Sequence, residues 1–413
     1  MARTDAIVLG AGIVGTSAAL HLAKRGLSVA LVDRGGPGEQ TSYGNAGIIE
    51  GNTYFPYPMP PLRDLLRIAL KRAPEANYHF SFLPKLAPWL WAYRAASRPE
   101  KMLEFAQGMR PLFAAALAEH ESLMAESGAL AHLARNGWLK LNRDARDLEA
   151  MRAGLDAVAR AGISFQILDR DGALSLEPSL APRFAGGVFW PAAASVDNPL
   201  AVTRAYAARF GALGGIVLEG DARSLHRAGR NWRVDTANGP VDSPNVVNAL
   251  GPWGADLLAP LGIRLPFGVK RGYHLHFKPR NGATLSRPVE AGVGYVVAPM
   301  QQGLRLTTGA EFAARDAPPT PVQFDRLLDD ARALFPLGEQ VEKEPWLGRR
   351  PTFPDSKPVI GRVPGHDGLW VDFGHAHWGL TLGPVSGRLL AEMVTGQTPF
   401  CDPKPYAIER FLR

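Results

Sequence analysis

The chain has 413 residues, 46% hydrophobic and 21% charged, and its net charge of +7 comes from both signs mixed along it. That length exceeds one minimal core and suits two domains, and the composition is that of an ordinary globular protein. A single cysteine, Cys401, excludes an internal disulfide framework and a cysteine-based metal cluster, and no basic tract interleaved with aromatics points to nucleic acid.

The first apolar run, Asp5 to Leu9, is of strand type and too short for a leader's apolar segment, so no leader is expected. Gly10-Ala11-Gly12-Ile13-Val14-Gly15 follows at once, then an amphipathic helix from Ile13 to about Arg25 and a second strand, Ser28 to Val32, ending on Asp33. This is a complete dinucleotide-binding signature. Gly10 permits the tight turn, Gly12 lets backbone approach a pyrophosphate, and Gly15 lets helix and strand pack closely. The helix start offers free N–H groups and a positive dipole end to phosphates, while Asp33 can accept hydrogen bonds from a ribose hydroxyl. A small-residue loop comes next, Gln40-Thr41-Ser42-Tyr43-Gly44-Asn45-Ala46-Gly47, with hydroxyls and bare amides able to meet a second part of the same ligand.

From Tyr54 to Trp91 the chain carries Phe55, Tyr57, Phe80, Phe82, Trp89 and Trp91, with Arg63, Arg67, Lys71 and Arg72 on a helix spanning Leu62 to Ala73. Aromatics beside a basic amphipathic helix suit either a cap packed on its own core or a surface resting on a bilayer. Further helices are predicted over Pro84–Ser97, Glu100–Ser127 with a break at Pro111, Asp147–Ala161, Asn198–Leu213, Val322–Phe335 and about Leu382–Thr395. Predicted strands are Trp138–Asn142, Ile163–Leu168, Gly187–Pro191, Ile216–Leu218, Trp232–Thr236, Asn245–Leu250, Tyr273–Lys278, Gly294–Ala298, Leu304–Thr308 and Leu369–Phe373. No apolar stretch reaches the roughly 18 residues of a membrane span. The alternation of element types predicts an α/β plus β fold, a Rossmann-type domain interleaved with a mixed-sheet domain. The nucleotide-binding part is expected to be discontinuous, at 1–55, 195–255 and 340–413, and the substrate part at 56–194 and 256–339.

Three later stretches extend the signature: Val246 to Trp253, ending in a Gly-Pro turn; Gly348-Arg349-Arg350-Pro351-Thr352-Phe353-Pro354-Asp355, followed by Pro358 to Gly361; and Val371 to Gly383. With the glycine loop and the Gln40–Gly47 loop they resemble the FAD-dependent amine oxidoreductases of the D-amino acid oxidase superfamily, most closely the bacterial D-amino acid and D-hydroxyproline dehydrogenases. The resemblance implies the glutathione-reductase-like fold of that superfamily and FAD as cofactor. It implies FAD contacts from Gly10, Gly12, Ile13, Val14, Gly15, Asp33, Arg34, Thr41, Ser42, Gly44, Asn45, Ala46 and Gly47. Ala222, Ala249, Gly251, Trp253, Gly374, His377, Trp378, Gly379, Leu380 and Thr381 are implied likewise.

In the same way Arg350 matches the arginine that clamps a substrate carboxylate, for which a planar guanidinium suits better than lysine. Tyr273, His274 and Tyr295 are expected at the pocket roof, the first two within Lys270-Arg271-Gly272-Tyr273-His274. The helix after Gly374 would turn its positive end to the reduced flavin, with Pro384 near its start. Hydride transfer from a neutral amine needs no base, so His375 and His377 are not required as one. Related sarcosine-type oxidases carry a flavin-linked cysteine before the Arg-Pro pair; Gly348-Arg349 stands here, so FAD is expected to be non-covalent. No metal is expected.

Three activities fit. The first is a D-amino acid dehydrogenase, acting plausibly on a cyclic substrate such as D-proline or cis-4-hydroxy-D-proline, by hydride transfer from Cα to flavin N5, with electrons passed to a quinone or carrier protein. The second is a glycine- or sarcosine-type oxidase using oxygen. The third is the cofactor-holding subunit of a heteromeric dehydrogenase, against which the carboxylate clamp argues. The expected location is cytoplasmic, with peripheral contact to the inner membrane face as the variant that the basic aromatic segment suggests.

Overall fold

A computed structural model describes residues 2–50, 56–160 and 162–412, and their strands collect into four sheets. The six-stranded sheet has the order 216–219, 29–33, 6–9, 245–248, 369–373, 359–362; the first five run parallel and the last antiparallel. Apart from the exposed edge strand 216–219, its strands are apolar runs because both faces are covered. Ala6, Val8, Leu31 and Val247 face one core, and Ile7, Leu9, Val32 and Val246 face another. Over the first face lie the helices Ile13–Lys24, Pro99–Ser127, Pro199–Ala212 and Gly379–Val394. A small sheet built from strands 2–3, 241–243, 231–234 and 226–228 covers the other through Trp232, Val234 and Val241.

The eleven-stranded sheet is built around Gly268–Pro279, longer than the predicted Tyr273–Lys278. Strand Trp346–Thr352 pairs with its first half in continuous antiparallel register, Gly268 with Thr352 through His274 with Trp346. Residues 346–352 therefore pair within this sheet, although 340–413 is expected with the nucleotide-binding part. The strand goes where its hydrogen-bond partners are, which sequence periodicity does not reveal. The boundary expected at 55 lies outside the described residues, as do Tyr54 and Phe55.

Two prolines act differently from expectation. Helix Pro99–Ser127 continues through Pro111, and the last helix starts at Gly379 with Pro384 inside it. Pro384 has no N–H to give the carbonyl of Leu380 four residues back. His120 Nε2 donates to that carbonyl instead, at 2.7 Å, with Nδ1 3.0 Å from the Tyr206 hydroxyl. The buried imidazole is held neutral, its pKa pushed down to about 4 by burial.

Helix Leu62–Ala69 ends four residues before the predicted Ala73 and buries none of its side chains. Leu62, Leu66 and Leu70 stand exposed one turn apart, and Phe80 and Trp91 are also exposed.

Candidate functional site

The glycine loop is close-packed backbone. Gly10 has φ +103°, and a Cβ there would lie 2.5 Å from the Ala249 carbonyl oxygen; one on Gly15 would lie 1.8 Å from that of Gly10. No side chain fits at either position, and Gly12 faces open space apart from Ser42 Oγ at 3.3 Å. Ser42 Oγ accepts from Ile13 N at 2.9 Å, satisfying a free donor at the helix start. The Asp33 carboxylate spans the same loop, accepting from Ala11 N at 2.6 Å and Gly35 N at 3.1 Å.

Beside this loop lies a cavity of 330 Å³. It brings together Gly10, Gly12, Ile13, Val14, Asp33, Arg34, Thr41, Ser42, Gly44, Asn45, Ala222, Ala249, Gly251, Trp253, Gly374, His377, Gly379 and Leu380, and Gly272, Tyr273 and Arg350 as well. The Arg34 guanidinium lies 4.4 Å over the Trp253 ring. Thr41 Oγ1 donates to the Arg349 carbonyl at 2.8 Å, which ties the Gln40–Gly47 loop to the strand that carries Arg350.

Other candidates stand outside the cavity. Gly15 packs helix to strand, Ala46 lies beyond the lining, and Gly47, at φ +78°, would place a Cβ 2.2 Å from the Val196 carbonyl oxygen. Trp378 is buried between Phe105 and Phe113, and Thr381 Oγ1 donates to the Ile48 carbonyl.

Strand alternation decides the other end of the site. Lys270, Gly272 and His274 point to one face of Gly268–Pro279, while Arg271, Tyr273, Leu275 and Phe277 point to the other. Arg350 is directly opposite Lys270 and shares its face. Its guanidinium lies across Gly272, where a Cβ would be 2.5 Å from Nη1, and it donates to the carbonyls of Gly309 at 3.0 Å and Thr308 at 3.2 Å. Tyr273 sends its hydroxyl the opposite way, to Glu311 Oε2 at 2.8 Å, where fully buried Arg271 and Glu311 form an ion pair.

The Tyr273 hydroxyl is thus committed to that pair rather than to a pocket roof. Tyr295 is likewise in the second core, donating to Asp330 at 2.8 Å and accepting from Arg143 at 3.2 Å. His274 shares the Arg350 face but is buried against Trp346, with centroids 4.9 Å apart, and burial presses its pKa down to about 2. His274 and Tyr295 lie outside the cavity lining, and Tyr273 borders it without presenting its hydroxyl, because register and alternation, invisible before the sheet is assembled, bury the first two and turn that hydroxyl away.

Burial lowers the pKa of Arg350, and no carboxylate pairs with it among the described residues. His377 is neutral, at about 3, because of burial and then the charges of Lys270 and Arg350. His375 is also held at about 3 by burial, with Nε2 3.1 Å from Ser386 Oγ and 3.4 Å from Asp372 Oδ1. Lys270 is half-buried, its ammonium 5.2 Å from the Trp89 ring centroid and 4.7 Å from that of Tyr93. Burial and the Arg350 charge bring it down to about 8. The sequence does not single out Lys270; only its pairing opposite Arg350 does.

The donor set fits FAD. It combines a glycine cradle that no Cβ could enter, an acidic acceptor at the end of the second strand, and the starts of two helices, Ile13–Lys24 and Gly379–Val394, at the cavity wall. Residues 5–393 match the family described as FAD dependent oxidoreductase. The chain is 33% identical to a D-amino acid dehydrogenase from Rhizobium johnstonii, over 98% of this chain and 99% of that protein. It is 28% identical to a D-amino-acid oxidase from Bradyrhizobium diazoefficiens, over 98% of each. Its fold is similar to that of glycine oxidase from Geobacillus kaustophilus, with a TM-score of 0.76, 24% identity and full coverage of both chains.

Proposed function

Because this chain belongs to the FAD-dependent oxidoreductase family, we propose that it oxidises the α-amine of a D-amino acid to the imine and passes the electrons to a quinone or a carrier protein. The observation that carries this reading is Arg350: a half-buried, cavity-lining guanidinium with no carboxylate partner among the described residues. A substrate carboxylate entering this partly desolvated site loses hydration, and a planar guanidinium restores it with two parallel hydrogen bonds.

When bound, FAD supplies the two-electron oxidant that accepts a hydride from Cα. The chain's own residues do the rest. Gly10, Gly12 and the amide of Val14 would hold the pyrophosphate, Asp33 a ribose hydroxyl, and the start of Gly379–Val394 the electron-rich edge of the ring. Arg350 fixes the carboxylate and so the direction of Cα–H. His377, neutral beside two cations, adds no positive charge against the substrate amine. Gly348-Arg349 occupies the stretch before the Arg-Pro pair, and the chain's one cysteine, Cys401, is remote from it in sequence; both support non-covalent FAD.

A cyclic substrate, D-proline or cis-4-hydroxy-D-proline, has in its favour the rings of Tyr57, Trp89 and Tyr93, since Tyr57 lies 5.5 Å from the His377 ring and the other two stack at 5.1 Å. Peripheral membrane contact on the cytoplasmic face is supported by the exposed row Leu62, Leu66 and Leu70, flanked by Arg63, Arg67, Lys71 and Arg72. Among the described residues no helix is long and apolar enough to cross a membrane.

The deciding experiment mixes the FAD-loaded protein anaerobically with D- and L-amino acids and follows bleaching of the flavin band. Bleaching by D-enantiomers is expected, and indifference to all of them overturns the reading. Comparing reoxidation by oxygen and by a soluble quinone then separates dehydrogenase from oxidase.

A further inference from the structure

Lys270 and Arg350 stand directly opposite each other on neighbouring antiparallel strands, on the same face, and both are half-buried. Like charges in this arrangement work against the sheet. Among the described residues neither has an acidic partner. The nearby carboxylate that Tyr57 reaches, Glu290, is held by Lys140 at 3.0 Å and by the Tyr57 hydroxyl at 3.3 Å. The ammonium of Lys270 lies over the faces of Trp89 and Tyr93, both on helix Leu83–Ala96. Trp89 Nε1 in turn donates to the Thr352 carbonyl at 3.4 Å, which fixes that helix over the strand end where the two cations meet.

An amino acid with a neutral side chain brings one carboxylate, which Arg350 takes. Lys270 would then remain as a second cation without a counter-ion, next to a neutral histidine. We propose that the site takes a D-amino acid carrying a second acidic group, with Arg350 holding the α-carboxylate and Lys270 the side-chain carboxylate. This rests on the amino-acid reading above and narrows it. Charge, rather than ring shape, then selects the substrate. A second anion neutralises both cations and removes the repulsion across the strand pair. The depression of the Lys270 pKa to about 8 by burial and by Arg350 agrees with an ammonium that lacks such an anion.

The test uses the FAD-loaded full chain and its Lys270→Met and Lys270→Arg variants. Turnover of D-glutamate and D-aspartate is compared with that of D-alanine, D-valine and D-proline. Glutarate and butyrate binding is followed through the perturbation of the flavin spectrum, a readout that needs no turnover. The parent should prefer the acidic substrates. Lys270→Met should lose at least about tenfold on them, as expected for a lost charged hydrogen bond, with less than about threefold change on the neutral ones. Glutarate affinity should fall in parallel while butyrate affinity holds, and Lys270→Arg should restore part of both losses.

Equal losses on acidic and neutral substrates would place Lys270 on the α-carboxylate and overturn the proposal. So would a parent that prefers D-alanine or D-proline. If no D-amino acid is turned over, the proposed function fails, and the glutarate arm still decides whether the two cations form a dicarboxylate site.

Discussion

Lys270 lies directly across the strand pair from Arg350, so the guanidinium expected to bind substrate has a second, half-buried cation as its neighbour. This relationship gives the site its sign. It adds to the burial that already keeps His377 neutral, and it leaves an anion as the missing partner.

Arg350→Ala should reduce kcat/KM on any amino-acid substrate by at least about a hundredfold, since roughly 3 kcal/mol of binding and positioning is lost. Arg350→Lys should recover little, because a point charge cannot reproduce the fork. FAD content and the visible spectrum should stay close to the parent's. Near-normal kinetics in a folded, FAD-loaded Arg350→Ala protein would sink the clamp.

Asp33→Ala should weaken FAD binding by about 1–3 kcal/mol, the range for a lost charged hydrogen bond. The substitution also takes the acceptor from Ala11 N, so loosening of the glycine loop adds to the effect. Titration of the apoprotein with FAD measures it, and an unchanged dissociation constant would count against Asp33 as a ribose ligand.

Heat or acid precipitation should release all FAD into the supernatant. Colour that stays with the precipitate would contradict non-covalent binding.

Lys270 gives a pH signature whose sign follows from its lowered pKa. Arg350, His377, Trp89 and Tyr93 face it, and of these His377 titrates near 3 and Tyr93 near 12. Glutarate has no amine, so its affinity should fall as pH rises through about 8, where Lys270 loses its proton. For stability the sign is opposite. Between about 8 and the ordinary lysine value of 10.5 the unfolded chain binds more protons than the native one, so stability contributed by this group rises with pH. Lys270→Met should accordingly raise stability at pH 7, by about 1–2 kcal/mol once solvent screening of a half-buried group is discounted. That gain should shrink toward pH 10. Denaturant melts at several pH values check both statements.

Tyr295→Phe should leave kcat/KM near the parent value and cost about 1–3 kcal/mol of stability, because Asp330 and Arg143 lose a shared partner. A large kinetic effect with unchanged stability would return Tyr295 to the substrate pocket.

Placing Leu62, Leu66 and Leu70 on an exposed face predicts co-flotation with vesicles containing anionic phospholipid. Replacing all three by serine should abolish flotation and leave reduction by substrate intact. Equal flotation of both proteins would mean that this row does not meet the bilayer.

What the sequence determined by itself is local and covalent in origin. Gly10, Gly12 and Gly15 are legible because a tight turn and a helix start lie within a few residues of one another, and the apolar runs around them have the length and period of buried strands. Asp33 follows from the same short unit. Arg350 is legible as a residue type in a motif, not as a position in space. The tertiary structure decided everything that depends on which strand pairs with which. Register set Lys270 against Arg350, moved residues 346–352 into the larger sheet, and turned Tyr273 toward Glu311. A one-residue change in register reverses every side chain in a strand, and no single stretch of sequence carries that information. The helix through Pro384 was hidden for a related reason. Its unpaired carbonyl is taken by His120, 260 residues away, and only the assembled fold brings such a donor into place.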